Sequence, residues 1–214
     1  LKIDLINHFL DYFCENRSNL PKIKIQKFID ENESDELYIK AEDIPQLDKE
    51  VDLEINYTGY ASNGKDIEKS SDIEVFKLKA YKINANKLEK NDLKLTSKGQ
   101  IVTGKVSKNI KLNHLKEKDI IDEHRYLFLL SSNYINSKDV DTRGELQLYS
   151  LDEFKKLTID EATIDIHKEI LIDDIIEKVN VSIETLYSEI KEEVEKQNQE
   201  ITKLKNMFLL NEET

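Results

Sequence analysis

The seven residues His124-Arg125-Tyr126-Leu127-Phe128-Leu129-Leu130 form the most apolar short run in the chain. Apolar and aromatic residues follow one another there without helical spacing, so the run reads as a buried central strand. A strand of that kind needs neighbours, and the rest of the chain has to supply them.

Two stretches alternate as half-buried strands do: Val51, Leu53, Ile55 and Tyr57, then Ile73, Val75, Phe76, Leu78 and Ala80. Asn63-Gly64 between them tolerates positive φ and suits an antiparallel connection, although a loop of about ten residues argues against a tight hairpin. Leu93-Lys94-Leu95 and Ile101-Val102 flank Ser97-Lys98-Gly99-Gln100, a second strand, turn, strand unit whose glycine supplies the turn.

Helical patterns close both ends. Ile6, Phe9, Leu10 and Phe13, with Leu5 and Tyr12, predict an amphipathic helix over about residues 2–16, ended by Pro21. Ile23 and Ile25 then alternate with lysines as a short strand would, and Asp30 to Asp35 reads as a solvated turn. After Ser150 the pattern is helical to the end. Ser150 and Glu153 have capping-box spacing, Asp160 is placed to cap the next helix, and no proline or glycine follows it. In this tail Ile176, Ile183, Ile190, Gln197 and Leu204 recur every seven residues, beside a companion seam of Val179, Leu186, Val194, Ile201 and Phe208. Such a stripe fits a long helix lying on its own domain and a coiled coil with another chain equally well.

Charge narrows the partners. Hydrophobic residues make up 38% and charged residues 36%, and 44 acidic against 32 basic residues give a net charge of −12. That field repels nucleic-acid backbones and anionic membrane surfaces. No run approaches the roughly 20 apolar residues of a membrane span, no signal-peptide pattern opens the chain, and the single cysteine, Cys14, excludes an internal disulfide. The chain reads as a cytoplasmic α+β protein. Its start at Leu1, almost at once in a helical pattern, reads as a piece of a longer polypeptide.

Local chemistry is sparse. His8, His114, His124 and His167 are scattered and form no His-x-x-x-His or His-x-His pair, so no metal site is expected. The five glycines, Gly59, Gly64, Gly99, Gly104 and Gly144, build no phosphate-cradling loop. Carboxylate pairs such as Asp173-Asp174 and Glu192-Glu193 point apart on a helix and read as solvated faces. Cys14, among aromatic neighbours, reads as a buried or half-buried structural thiol.

The order of three segments carries more. LINHFLDYFCENRSNLPKIKI, then KLTSKGQIVTG, then HRYLFLLSSNYINSKDVDTRGELQL resemble the region that follows the ATP-binding domain in GHKL-type ATPases. That group includes gyrase B, MutL, MORC proteins and the ninety-kilodalton heat-shock chaperones, and the chain is similar to their bacterial chaperone-like ATP-binding members. The resemblance covers about residues 1–155. It implies a transducer-like mixed βαβ domain over residues 1–157 and a long C-terminal helical arm over 158–214. In such transducers an Asn-Gly-Arg element stands where this chain has Lys98-Gly99-Gln100, so that arginine's role does not carry over to Gln100. A basic residue on a later loop reaches the γ-phosphate of ATP. Arg143 in DVDTRGELQL resembles it, and Lys138 is the second candidate.

A guanidinium offers a permanent charge and forked donors that suit phosphate oxygens. An ion pair of Arg143 with Asp139 or Asp141 in an ordinary turn is the other reading, and from sequence alone the favoured one. The resemblance further implies that ATP and Mg²⁺ are held by an upstream domain, with no cofactor in this chain. The partners expected are that ATPase domain and a second copy, a homodimer through residues 160–210. A non-enzymatic coiled-coil adaptor is the competing function.

Overall fold

The computed structural model describes residues 2–29, 32–61, 66–102, 110, 112–113, 115–140, 145–157 and 167–207. The chain is α+β, as expected. Its centre is a six-stranded sheet in the order β10 (Lys168–Glu169), β3 (Lys49–Tyr60), β4 (Ile67–Asn84), β7 (His124–Ser131), β5 (Asp92–Ser97), β6 (Gln100–Ile101).

The apolar run becomes β7 (His124–Ser131), flanked on both sides. It pairs antiparallel with β4 (Ile67–Asn84), Leu130 opposite Leu78 and Phe128 opposite Ala80. It pairs in parallel with β5 (Asp92–Ser97), Leu93 opposite Phe128. Burial on both faces follows. Tyr126, Phe128 and Leu130 join the larger core, and Leu127 and Leu129 the smaller one behind the sheet.

β3 (Lys49–Tyr60) pairs antiparallel with β4, Leu53 opposite Phe76. The ladder runs on to Tyr60 opposite Ile67, so the connection is shorter than the expected ten residues, with a register shift between Asn56 and Thr58. Alternation failed to show this extension because its outward residues are polar and bonded across the ribbon, as Lys69 Nζ is to Thr58 Oγ1 at 2.9 Å. Asn63-Gly64 lies outside the described residues. Between β5 and β6 (Gln100–Ile101), Lys98 (φ 51°) and Gly99 (φ 78°) both take positive φ. Two such central residues match the right-handed twist of a two-residue hairpin.

α1 (Lys2–His8) and α2 (Leu10–Glu15) realise the first helical pattern with an interruption at Phe9. They cover the smaller core, where Leu10 meets Tyr81, Leu127 and Leu129. β1 (Ile23–Ile29) and β2 (Asn32–Ile39) form a separate antiparallel ribbon, Ile23 opposite Ile39. The acidic turn expected over Asp30 to Asp35 is therefore corrected: the strand resumes at Asn32, and the backbone of Asp35 is in register with Lys27. Opposite charges facing across a solvated ribbon, as in the Lys24–Glu36 ion pair, let a polar segment be a strand.

Beyond β7 come α3 (Asn133–Lys138), the small pair β8 (Asp139–Val140) and β9 (Glu145–Leu146), and α4 (Leu151–Phe154). Ser150 and Glu153 close the expected capping box on α4. The tail is not one helical run. Lys168–Glu169 is an edge strand, β10, on β3, followed by α5 (Ile172–Leu186) and α6 (Ser188–Met207). Asp160 lies outside the described residues.

The first half of the seven-residue seam packs on the chain's own sheet: Val179, Ile183 and Ile190 share the larger core with Leu53, Phe76 and Phe128. Tyr187 leaves helical geometry (φ −129°, ψ 96°) and buries its ring against Tyr126 at 4.8 Å. Its hydroxyl donates to Asp48 at 2.7 Å, and Lys49 Nζ lies 4.2 Å over the ring while bonding the Leu186 carbonyl. Burying an aromatic ring and closing a helix end at one residue outweighs the helix propensity of the flanking sequence. Only farther along α6 does the seam lose its cover, with Ile201 and Leu204 about half exposed (49% and 52%).

Candidate functional site

The two sequence candidates belong to the segment leaving β7. Arg143, with Asp141, Thr142 and Gly144, lies outside the described residues, between β8 and β9. Lys138 is described, and it ends α3.

α3 starts where β7 stops because Ser132 turns extended and its Oγ accepts the Ile135 amide at 3.0 Å. The helix then holds three parts of the chain. Asn136 Oδ1 accepts the Lys98 amide at 2.9 Å and the Ser97 hydroxyl at 3.2 Å, fixing the β5–β6 turn. Tyr134 donates its amide to Glu74 on β4 at 3.2 Å and its hydroxyl to Glu169 Oε2 on β10 at 2.5 Å. Lys138 Nζ lies 2.7 Å from Glu169 Oε1 and 2.5 Å from Oε2, and 5.1 Å over the Tyr134 ring.

Glu169 is buried (6% exposed), and both of its oxygens are taken. Burial, then the hydrogen bond and charge of Glu169, push the Tyr134 hydroxyl far above a tyrosine's ordinary range, so it stays a donor at physiological pH. Tyr57 stands edge-on to Tyr134 at 5.7 Å and is raised by burial and by Glu74, which accepts its hydroxyl at 3.3 Å. A carboxylate so enclosed serves neither as a general base nor as a metal ligand. It holds a lysine.

Asp139, one expected partner of Arg143, lies 3.8 Å from Lys98 Nζ. Two described lysines thus stand about α3 and the start of β8, Lys98 beside Asp139 and Lys138 on Glu169. Among the described residues no group of three or more His, Cys, Asp or Glu is placed to hold a metal. His114 lies outside the described residues; His8 is exposed and His167 stacks on Phe154.

A second buried polar cluster sits behind the sheet. Lys79 Nζ contacts Asp11 at 2.9 Å and Glu15 at 2.6 Å, and Thr96 donates to the second Asp11 oxygen at 3.1 Å. Beside it Cys14 is half-buried, and burial pushes its thiol up to about 11, against the opposing hydrogen bond with Tyr81. A thiol held protonated is a poor nucleophile, in keeping with the structural role expected. Sequence reasoning missed this cluster. The one available signal was Lys79 standing between Leu78 and Ala80 in a strand whose other face had to be covered by α2.

A cleft of about 440 Å³ opens between α1 and the back of the sheet, floored by Ile6, Leu10, Ile83 and Leu127. The Asp43 carboxylate on its rim is paired with Lys2 at 2.8 Å. No described helix is long and apolar enough to cross a membrane. Set against family models, curated proteins and solved structures, the chain finds no match among any of them.

Proposed function

We propose that this chain is the nucleotide-sensing transducer of a GHKL-type ATPase. In this reading ATP and Mg²⁺ are bound by an upstream domain, and the chain contributes Arg143 to the γ-phosphate, while Lys138, the second candidate, stays bonded to Glu169 at the foot of the same segment. One observation carries the reading. α3 joins the β5–β6 turn, the base of the β8–β9 hairpin and the segment leading into the C-terminal helices at a single place.

Docking of the hairpin on the phosphate then favours one of two arrangements of α5 and α6. Chemistry stays with the upstream domain. What this chain supplies is a positive charge on the segment between β8 and β9 and a path from that segment to the C-terminal helices.

In the full-length protein Arg143→Ala should slow hydrolysis by about 1,000-fold or more, the lower end of the range for arginine fingers. ATP affinity should stay within about threefold, because the uppermost contact is made mainly to the transferring phosphoryl group. Unchanged turnover removes the assignment. Steady-state hydrolysis and equilibrium nucleotide binding measure the two.

A specific observation favours a second reading, an adaptor that pairs through its end: Ile201 and Leu204 are exposed three residues apart on α6. The α6 stripe is the part of the tail left for a second copy to cover. Because Ile170 to Ile190 belong to the core, the informative truncation begins after Ile190 and leaves the fold intact. Sedimentation should then show a dimer for the full chain and a monomer without residues 191–214. A monomeric full chain ends this reading.

A further inference from the structure

We propose that Glu169 is a positioning residue that makes the β8–β9 hairpin and the start of α5 one mechanical unit. The claim extends the transducer reading by naming the joint, and it depends on that reading only for what pulls on the joint.

Both feet of the hairpin rest on the same few residues. On the upstream side Lys138 and Tyr134, one helical turn apart and so on one face of α3, grip Glu169. The Tyr134 oxygen also accepts the Ile170 amide at 3.0 Å. On the downstream side the Tyr149 carbonyl accepts the Ile172 amide at 2.9 Å, and the Leu151 amide donates to Asp173 Oδ2 at 2.7 Å. Gln147 closes the hairpin base, its amide donating to the Lys138 carbonyl at 3.1 Å. Residues 169–173, which carry β10 into α5, are thus held from both sides of the hairpin.

The Glu169 contacts dominate this set. β10 has only two residues, Lys168 opposite Gly59 and Glu169 opposite Thr58, so its own ladder holds little. The Leu151–Asp173 bond is exposed and exchanges readily with water. The Glu169 carboxylate is buried, and its bonds are charge-assisted. Taking away the lysine cation leaves a buried carboxylate with a single neutral donor, a state relieved by letting β10 go.

Hydrogen exchange on the full chain tests the joint. Lys138→Met should speed exchange at least tenfold both in the paired strand residues Asp139–Val140 and Glu145–Leu146 with Gln147 and at the Ile170, Ile172 and Ile175 amides, with Leu127 to Leu130 in β7 unchanged. Glu169→Gln, a milder change that keeps an acceptor for Tyr134, should loosen the same two segments. The double variant should be no looser than Lys138→Met alone, and Lys138→Arg should restore protection.

Loosening confined to the segment that carries each substitution overturns the joint, and so does an equal rise throughout β7. Neither outcome involves ATP. A failed joint with a slow Arg143→Ala variant leaves the phosphate sensor standing, and the converse leaves the joint without its proposed trigger.

Discussion

Lys79→Ala is expected to destabilise the fold by about 3–5 kcal/mol, the usual cost of stranding one member of a buried ion pair. Lys79 leaves β4 on the face opposite Leu78 and Ala80, and its side chain is only 7% exposed. Asp11 is as deeply buried, and without the ammonium it keeps Thr96 as its donor. Glu15 is different. Its side chain is 55% exposed, so Glu15→Ala should cost about 1 kcal/mol or less.

Replacing both partners, Lys79→Met with Asp11→Leu, should recover most of the loss, because a matched apolar pair needs no desolvation of charge. Urea unfolding followed by tyrosine fluorescence measures all three, the chain having nine tyrosines and no tryptophan. Burial lowers the Lys79 pKa, but the bonds to Glu15 and Asp11 outweigh it and leave the pKa above its ordinary 10.5. A raised folded-state pKa contributes stability that is complete below the unfolded value and fades only as pH rises through the folded one. The cost should therefore be flat from about pH 6 to 9. A Lys79→Ala loss below about 1 kcal/mol would show that water reaches Asp11.

That cluster also shows where sequence reading stops. Strands β3, β4, β5 and β7 were legible because one face or both had to be apolar, and the capping box on α4 because its two residues are three apart. Lys79 and Asp11 are 68 positions apart, and Lys138 and Glu169 are 31 apart. Nothing local marks either pair among so many charges.

Tyr187 was invisible for a related reason. A seven-residue repeat specifies which face of a helix is apolar and is silent on whether the helix pauses to bury a ring. Of the candidate site, Lys138 was named through a resemblance that says nothing of the partner it has here, Glu169. His167-Lys168-Glu169-Ile170 has the look of a helical surface until β10 is seen lying on β3.

The second large effect is Phe154→Ala, expected to cost about 3–5 kcal/mol as other buried phenylalanine truncations do. Phe154 is fully buried at the end of α4, stacked on Tyr60 at 5.3 Å and on His167 at 5.8 Å, and its carbonyl accepts the Tyr60 hydroxyl at 3.2 Å. Four residues cannot hold a helix by themselves, since nucleation costs more than so few bonds return. Two things are left to hold α4, its cap and its plug. Ser150→Ala should cost about 1 kcal/mol, the usual worth of an N-cap. Phe154→Ala should cost several times that. Equal losses would mean that the capping box carries α4 and that the ring only fills space.

The same residue has a functional reach. Leu151, which opens α4, is the downstream foot of the hairpin on Asp173. Loosening α4 should free that foot, so if the proposed transducer role holds, Phe154→Ala in the full-length protein should slow ATP turnover without touching nucleotide. Phe154→Leu keeps most of the volume and should cost less than about 1.5 kcal/mol. It should therefore restore turnover with stability. A variant stable as Phe154→Leu yet as slow as Arg143→Ala would place an aromatic requirement at α4 that neither packing nor the hairpin joint explains.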